Sequence, residues 1–379
     1  MNAKMIVMAA GMLCASAAAH AQSSVTLFGV LDEGLNFTSN AGGSRAWQTS
    51  SVDLVTSRWG LKGSEDLGGG LHAIFDLESG FTLDNGSAYY SGRLFGYQSY
   101  VGLASDTFGT LTFGRQFDTV TDVIGLMTAN GNWGGYLFSH PLDNDNTDAT
   151  FHANNSVKFT SNEYGGFSAT ALYGFSNQAG AFAGNRMVSA GLKYTYASFS
   201  VGAVYEDLSN PGATSAGAVA SDDAGFVAAN QKIVGIGASY GAGPATFGLV
   251  YTHSSLQQPT SSVYLGTLGL NNASLRFDNA EFNVKYLIQP DVVVGGMYTY
   301  TMAHLKQNGV ETALHWNQIG LMGQYLLSKR TGIYTQVVYQ KLSGGNTGTP
   351  LDTAFIPGAA SPSSNSHQLV ARIGMTHSF

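Results

Sequence analysis

Residues 167–173 read Phe167-Ser-Ala-Thr-Ala-Leu-Tyr173, so that Phe, Ala, Ala and Tyr alternate with residues that are mainly small or polar. The same alternation recurs in Phe199-Ser-Val-Gly-Ala-Val-Tyr205 and in Ala245-Thr-Phe-Gly-Leu-Val-Tyr251. A two-residue period indicates β-strands, each with one apolar face that ends in tyrosine. Such strands are typical of a barrel wall that faces lipid on the outside and water on the inside.

The length of the alternating runs distinguishes a membrane barrel from a soluble β-sandwich, in which the apolar face would point inward. The alternation recurs along the whole chain, and its runs exceed the roughly five or six residues of an average globular strand. The pattern therefore predicts an all-β fold, an antiparallel transmembrane β-barrel whose strands each cross a bilayer.

The spacers between these runs alternate between short and long. Short spacers lie at 65–68, 105–107, 163–165, 242–244, 289–291 and 328–330. Long spacers, rich in Gly, Ser, Asn and Ala, surround 38–50, 116–150, 209–229, 256–274 and 344–364. Short turns at one end and long loops at the other are typical of outer-membrane barrels. Placing strands between the spacers predicts a 16-stranded barrel with no second domain.

The low charge and the hydropathy pattern limit the possible classes of protein, although composition alone also fits a soluble all-β protein. Charged residues make up only 11% of the chain, whereas soluble domains carry about 25%. No run of about 18 apolar residues occurs, which excludes helical membrane spans. The formal net charge of -7 and the lack of basic patches argue against a nucleic-acid partner.

The N-terminal segment has the features of a cleaved secretory signal peptide. Lys4 supplies a short positive region, residues 5–19 are mostly small and apolar, and Ala19-His20-Ala21 matches a cleavage site. We expect a signal peptide at 1–21, cleavage between Ala21 and Gln22, and a mature barrel domain at 22–379. A lipoprotein signal at Cys14 is the competing interpretation, but a leucine precedes that cysteine where a small residue is normally needed.

Cleavage at this site would remove Lys4 and Cys14 but no acidic residue, so the formal net charge would change from -7 to -8. No cysteine would remain, and a secreted chain without disulfides needs another source of stability. A closed barrel supplies it, because every backbone amide of the wall is hydrogen-bonded within the wall.

The segment 116–150 lacks clear alternation and contains Trp133 and several acidic residues. A loop of this length is usually functional or disordered. In a pore, one functional place for such a loop is inside the lumen.

Charged side chains that face the lumen are the chemically important groups of a pore, because rings of charge set its ion selectivity. Where large apolar neighbours face lipid, the charged residues between them face inward, since a charge on the lipid face costs about 2–4 kcal/mol. The residues assigned in this way are Arg58, Lys62, His72, Asp76, Glu78, His152, Lys158, Lys193, Glu281 and Lys285. The alternative for each is a solvated lumen residue without a specific role. Arg115 is ambiguous, because Leu111 and Phe113 on the same face look outward, and it could lie above the membrane.

No arrangement typical of an enzyme occurs in the sequence. The nine histidines are scattered, and no Gly-x-Ser-x-Gly nucleophile motif is present. The acidic cluster Asp143, Asp145 and Asp148 superficially resembles a calcium loop, but the expected glycine and distal glutamate are missing. We therefore predict no catalytic residue, no metal site and no cofactor.

Several stretches resemble the Gram-negative general porins of betaproteobacterial type. Together they cover essentially the whole mature chain, and the long motif Ser57-Arg-Trp-Gly-Leu-Lys-Gly-Ser-Glu-Asp-Leu-Gly-Gly-Gly-Leu71 is the most specific of them. The others are Ser24-Val-Thr-Leu-Phe-Gly-Val30, Leu77-Glu-Ser-Gly-Phe81, Phe108-Gly-Thr-Leu-Thr-Phe-Gly-Arg-Gln116, Asn155-Ser-Val-Lys-Phe159, Leu327-Ser-Lys-Arg-Thr331 and Arg372-Ile-Gly-Met-Thr-His-Ser-Phe379.

The resemblance implies a homotrimer of 16-stranded barrels in the outer membrane, in contact with lipids and lipopolysaccharide. It also implies that the third loop, here about 116–150, folds inward as a constriction through which ions and small hydrophilic solutes diffuse passively. The terminal Phe379 matches the family's signal for the barrel assembly machinery. In several members arginines on the wall face acids on the inward loop, and Arg58 and Glu78 match family positions. The acids expected opposite Arg58 are Asp143, Asp145 or Asp148.

Two positions depart from the family pattern. The chain has Phe95-Gly-Tyr-Gln98 and His152-Ala-Asn-Asn155, so Tyr97 and His152 stand where relatives carry arginine. We therefore expect a weakly selective or cation-leaning pore, in which His152 adds a positive charge only at acidic pH. A substrate-specific channel with an aromatic track of Tyr89, Tyr90 and Tyr97 and an outer-membrane hydrolase are the alternatives. Instead of forming such a track, the three tyrosines could lie in the aromatic girdle at the membrane interface or in a loop.

Overall fold

The computed structural model describes residues 24–379, which form a closed antiparallel barrel of 16 strands, as predicted. The predicted signal peptide and its cleavage site at Ala21 and Gln22 lie outside the described residues. In chain order the barrel strands are β1 Ser24–Ala41, β2 Arg58–Gly68, β3 Leu71–Gly80, β4 Gln98–Ser105, β5 Gly109–Gln116, β6 Ala153–Ser161, β7 Phe167–Gly174, β8 Arg186–Tyr196, β9 Phe199–Ser209, β10 Asn230–Ala242, β11 Ala245–Gln257, β12 Ala273–Gln289, β13 Val292–Gln307, β14 Val310–Leu326, β15 Thr331–Gly344 and β16 His367–Ser378.

The barrel closes on β1, which pairs along both edges. Its first part, Ser24–Val30, is antiparallel to β2, and the segment from Val30 to Thr38 is antiparallel to β16. A further strand, Ser44–Ser50, folds back on the upper part of β1 as a hairpin. Each barrel strand therefore has neighbours on both sides, which satisfies the backbone polar groups that lipid cannot.

The two ends of the barrel differ in the length of their connections. At one end the turns are short, at 69–70, 106–108, 162–166, 197–198, 243–244, 290–291 and 327–330. At the other end lie loops L1 to L8, at 42–57, 81–97, 117–152, 175–185, 210–229, 258–272, 308–309 and 345–366. The predicted asymmetry is present, but L7 is a two-residue turn, and the sequence pattern missed L2 and L4.

Alternation along the strands separates an apolar outer surface from a packed interior. On β11, Leu249 is 63% exposed and its neighbour Val250 only 2%. The outward-facing set on other strands includes Leu27, Val101, Phe159, Leu192, Ile236, Tyr298, Ile319 and Ile373. An exposed belt of large apolar side chains around a barrel is the surface that faces lipid.

The loops contain short elements of their own. Five helical turns lie in L3, at Val120–Ile124, Gly125–Met127, Asn130–Gly134, Tyr136–Phe138 and Pro141–Asp143, and one lies in L8 at Pro350–Asp352. Strands of two residues, Phe226–Val227, Ser261–Ser262 and Gly266–Thr267, form a small sheet that joins L5 to L6. Within residues 24–379 no helix has the length and apolarity needed to cross a membrane.

Candidate functional site: the constricted lumen

Loop L3 lies inside the lumen, where amide side chains of the wall hold its backbone. Gln318 Nε2 on β14 donates to the carbonyl oxygen of Ser139 at 3.0 Å, and Gln336 Nε2 on β15 donates to that of Gly134 at 2.5 Å. Each such bond between buried groups contributes about 0.5–1.5 kcal/mol. The expectation that this loop folds inward is confirmed, and the loop rests on the wall formed by the later strands.

An ionic contact fixes the middle of L3 to the same wall. His140 is fully buried, with Nδ1 2.7 Å from Asp145 Oδ2 on L3 and Nε2 3.1 Å from Glu281 Oε2 on β12. Burial disfavours the imidazolium, but the two carboxylates outweigh it and hold the pKa of His140 well above its ordinary value. Asp145 also accepts a hydrogen bond from Thr252 Oγ1 on β11. A charged histidine thus joins the loop to two strands.

Apolar side chains of L3 fit into gaps that glycines leave in the wall. A Cβ at Gly295 would overlap the Trp133 ring, and one at Gly320 would overlap the Phe138 ring. The two rings lie 5.0 Å apart between centroids, inside a buried cluster with wall residues of β13 to β16. The first turns of L3 follow the same rule, with Val123, Ile124 and Met127 above Gly202, Gly235 and Gly237. Inward-facing glycines therefore provide the room that the loop occupies.

Beside L3 lies a cavity of about 720 Å³, called here the main cavity, which is lined by residues of L1, L2, L3, L5, L6 and L8. Its charged lining residues are Asp122, Asp148, Asp222 and Asp223. Among residues 24–379, no lysine or arginine lines it. The surface that a solute meets at the constriction therefore carries carboxylates.

Arg58 is not among the residues that line this cavity. Its Nε is 2.6 Å from Glu78 Oε2, and its guanidinium carbon lies 4.5 Å from the centroid of the Tyr97 ring. Glu78 is buried and accepts a second hydrogen bond from Gln98 Nε2 at 3.2 Å. The predicted wall arginine is thus paired with Glu78 and lies against the Tyr97 ring.

Three of the four lining carboxylates are paired with a base. The pairs are Asp122 with Lys158 at 2.8 Å, Asp222 with Arg93 at 2.7 Å, and Asp223 with Arg115 at 2.6 Å. Such pairs bring the local charge close to neutral. The side chains of Asp122 and Asp222 keep 30% and 46% of their surface exposed, whereas that of Asp223 is buried.

The structure resolves the ambiguous position of Arg115. Its side chain is buried, donates to the carbonyl oxygen of Gly96 at 2.7 Å and contacts both carboxylate oxygens of Asp223. It therefore joins L2 and L5 at the end of β5, and it presents no free charge to the lumen.

Of the three loop acids expected opposite Arg58, only Asp148 reaches the cavity. Asp145 is used in the His140 contact, and Asp143 is 3% exposed and accepts from Thr150 Oγ1 at 2.6 Å. Both carboxylates are buried within the folded loop or against the wall, where they accept hydrogen bonds from polar groups. Burial and the nearby Asp143 raise the pKa of Asp148 to about 8. Asp148 is therefore largely uncharged at neutral pH.

His152 is buried and does not line the cavity. Its ring lies 5.0 Å from Tyr90, 5.7 Å from Tyr97 and 4.8 Å from Phe117 between centroids. Burial, followed by the nearby Arg115, lowers the pKa of His152 well below its ordinary value. The hypothesis that His152 adds a positive charge at acidic pH is not supported by this environment, because burial and the nearby Arg115 disfavour the imidazolium.

Lys62 and Asp76 face inward nearer the short turns. They line a second, smaller cavity of about 280 Å³ together with Tyr100. Lys62 Nζ lies 4.9 Å from the centroid of the Phe28 ring. These two predicted residues therefore belong to the opening of the pore at the turn end, away from the L3 cavity.

Five tyrosines line the main cavity, and sequence reasoning located three of them only as candidates. Tyr89, Tyr90 and Tyr97 come from L2, Tyr136 from L3 and Tyr264 from L6. The alternation rule applies to strands, and these residues are in loops, so no periodic signal could assign them. The clustering of Tyr89 and Tyr90 in sequence was the signal available.

Phe379 closes the barrel at the turn end. Its backbone N–H donates to the carbonyl oxygen of Gly29 at 3.0 Å, and the Gly29 N–H donates back at 3.2 Å. A Cβ at Gly29 would overlap the Phe379 ring, which is 46% exposed on the outside of the barrel. The terminal residue thus completes the pairing of β1 and remains accessible from outside.

Comparison with known proteins gives consistent matches along the chain. A family model described as Gram-negative porin matches residues 7–345. An outer membrane porin of Bordetella pertussis is 29% identical over 381 residues, covering 89% of this chain and 94% of the relative. Outer membrane porin protein 32 of Delftia acidovorans is 28% identical over 385 residues, covering 99% of this chain and 100% of the relative. A solved anion-selective porin from Comamonas acidovorans shares the fold, with a TM-score of 0.71 and 23% identity over 94% of this chain and 100% of that one.

Proposed function

Because the chain belongs to the Gram-negative porin family and is an outer-membrane channel for passive diffusion, we propose that its constriction passes ions and small hydrophilic solutes with a weak preference for cations. The observation that carries this preference is the lining of the main cavity, which contains four aspartates and neither lysine nor arginine among the described residues. Rings of like charge in a narrow pore favour the passage of the opposite ion.

The preference is weak because the carboxylates are compensated. Arg93, Arg115 and Lys158 pair with three of them from behind, and Asp148 is mainly protonated at neutral pH. Tyr97 covers Arg58, whose charge is already matched by Glu78. The relative from Comamonas acidovorans is described as anion-selective, so the two channels are expected to differ in the sign of their selectivity.

We also propose a homotrimer. A solved OmpT of Vibrio cholerae, with a TM-score of 0.66 and 16% identity to this chain, is described in a trimer form. The apolar outer belt would meet outer-membrane lipids and lipopolysaccharide, and the exposed Phe379 ring would be available to the barrel assembly machinery. The mature protein would begin at Gln22 after removal of 1–21, which N-terminal sequencing of the purified protein tests.

We further propose that the channel has no catalytic activity. Three of the four aspartates that line the cavity, Asp122, Asp222 and Asp223, are engaged in ion pairs, and His152 is enclosed by aromatic rings. Neither arrangement leaves a nucleophile beside a free base.

Recording from planar bilayers tests the proposed function. The purified trimer should insert with ohmic conductance steps that close in groups of three. In a KCl gradient at neutral pH, the reversal potential should be small and have the sign of cation preference. Firm anion selectivity would contradict the proposed preference, and the absence of conductance from correctly folded protein would contradict the channel itself.

A further inference from the structure

We propose that the constriction contains a binding subsite for organic cations with an aromatic body, such as aromatic amines. The inference rests on the proposed diffusion function and names the class of solute that the cavity retains during passage. The evidence for the subsite is a set of aromatic rings, a carboxylate and exposed apolar side chains that line the same 720 Å³ cavity.

The aromatic part of the subsite comes from three loops. Tyr89, on L2, packs edge-on against Tyr90 with ring centroids 4.9 Å apart. Tyr136 of L3 and Tyr264 of L6 line the same cavity, and Thr150 Oγ1 lies 2.7 Å from the Tyr264 hydroxyl and holds that ring in place. All of these tyrosines are half-buried, so each ring is fixed while part of its surface remains open. Fixed rings bind a ligand with little loss of side-chain entropy.

The rings differ in their availability. Arg58 already lies 4.5 Å from the Tyr97 centroid, and Arg115 lies 5.9 Å from that of Tyr90. A second cation on those rings would meet like charge. Tyr89, Tyr136 and Tyr264 have no such partner among the described cation–ring contacts, so they are the rings that a bound ammonium group would approach.

Asp148 supplies the countercharge. It lines the cavity and lies within electrostatic range of the hydroxyls of Tyr89, Tyr136 and Tyr264. An arriving ammonium group would stabilise the carboxylate form and gain a charge-assisted hydrogen bond. A carboxylate beside several rings is the arrangement that recognises an amine through charge and cation–π contact together.

Apolar side chains complete the subsite. Leu126 of L3 is 54% exposed and Val263 of L6 is 60% exposed, and both line the cavity. Large aliphatic side chains in a water-filled pore provide a surface for the apolar body of a solute. A small inorganic cation would use none of this surface, so the subsite separates organic amines from potassium.

The test uses the reconstituted full-length mature trimer in KCl and three small probes. Tryptamine carries both the ring and the ammonium group, indole-3-propionate carries the ring with a negative charge, and ethylamine carries the ammonium group alone. Tryptamine should interrupt the open-channel current in discrete, concentration-dependent blocks. Indole-3-propionate and ethylamine at the same concentration should produce at least tenfold fewer or shorter blocks, which corresponds to about 1.4 kcal/mol.

Two pairs of variants localise the block. Asp148→Asn should shorten tryptamine blocks about tenfold, whereas Glu163→Gln, a neutralisation on the exposed 162–166 turn, should not. Tyr89→Leu should shorten them as well, whereas Tyr89→Phe, which keeps the ring, should not. The current in KCl alone reports whether each variant folds and conducts.

Raising the pH supplies an independent arm. Primary amines stay protonated until about pH 10, while ionisation of Asp148 should lengthen tryptamine blocks between about pH 6 and pH 9 in the wild type but not in Asp148→Asn. The titratable groups that face Asp148 are Asp143 on L3, Asp53 on L1, and Tyr89, Tyr97, Tyr136 and Tyr264. Equal block by indole-3-propionate, or block that Asp148→Asn leaves unchanged, would overturn the subsite. Loss of the KCl current itself would instead count against the proposed function.

Discussion

The Tyr97 ring lies against the Arg58 guanidinium, and the charge of Arg58 is paired with Glu78, so the wall arginine contributes little positive potential where solutes pass. Tyr97→Arg would place an additional positive charge at this position, and Glu78 would not neutralise it, because that carboxylate is already bonded to Arg58 and Gln98. We expect the permeability ratio of potassium to chloride to fall, and the channel to become anion-preferring.

Reversal potentials of Tyr97→Arg and of Tyr97→Phe in the same KCl gradient check this expectation. The phenylalanine variant keeps the ring over Arg58 and should retain the wild-type ratio. An arginine variant that keeps cation preference would show that the lumen potential is set elsewhere.

Asp148 makes selectivity dependent on pH. Burial and the neighbouring Asp143 raise its pKa to about 8, so the group is neutral below that pH and negative above it. Cation preference should therefore increase as the pH rises from about 6.5 to about 9, since the added charge lies on the cavity surface. Asp148→Asn should flatten this dependence. A fall in cation preference over the same pH range would contradict the proposal that ionisation of Asp148 controls the selectivity.

Alternation along strands was sufficient to place Arg58, Asp76, Glu78 and Lys158 on the inner face. It could not show which of them are free, because their partners lie in other strands and loops, as Asp122 does for Lys158. His152 shows the same limit, since its enclosure by Tyr90, Tyr97 and Phe117 depends on how L2 and L3 meet. The charge on a lumen residue is a property of the folded loops.

At the scale of the element, L3 depends on the glycines beneath it. Gly295 on β13 faces inward under Trp133, whereas Gly296 faces outward and has room for a side chain. Gly295→Val should displace Trp133 and loosen L3, because the buried ring contacts cannot be kept alongside two new methyl groups. The channel should show larger and noisier conductance, and protease should cut L3 faster.

Gly296→Val is the matched control, since it adds the same side chain on the lipid face of the same strand. Its conductance and protease resistance should stay at wild-type values. If both variants show the same change, Gly295→Val acts by perturbing strand β13 and not by displacing L3.

The inward fold of L3 was predictable from its length and its lack of alternation, but the wall on which it rests was not. That wall is defined by Glu281, Gln318 and Gln336, each of which contacts L3 across more than a hundred residues of sequence. The inward-facing glycines of β8 to β14 were visible in the sequence, but their meaning was ambiguous. Small residues opposite an apolar face also suit a lumen filled with water. Only the structure distinguishes a glycine that faces water from one that makes room for Trp133.

At the scale of the whole molecule, a buried network stabilises the seam where the barrel closes. Arg372 on β16 bonds to Asp53 of L1 at 2.8 Å and to Asp32 of β1 at 3.3 Å, and its Nε is 2.6 Å from the Tyr334 hydroxyl. Arg372→Ala would leave two carboxylates buried without their countercharge. Breaking such a pair costs about 3–5 kcal/mol, so the urea midpoint of unfolding in detergent micelles should fall markedly.

Arg330→Ala, on the exposed turn at 327–330, removes the same charge where nothing is buried around it. Its midpoint should match that of the wild type. An Arg372→Ala barrel with an unchanged midpoint would mean that the seam is held by backbone pairing alone.

The attachment of L3 to one side of the barrel has a consequence for how the protein can be altered. The strands from β8 to β15 hold the loop through close glycine contacts and hydrogen bonds that tolerate little change, while L2 on the facing side lines the cavity and supports L3 less. Mutational tolerance should therefore be concentrated in L2. New side chains that recognise an analyte are therefore best introduced in L2, with the strands β8 to β15 and L3 left unchanged.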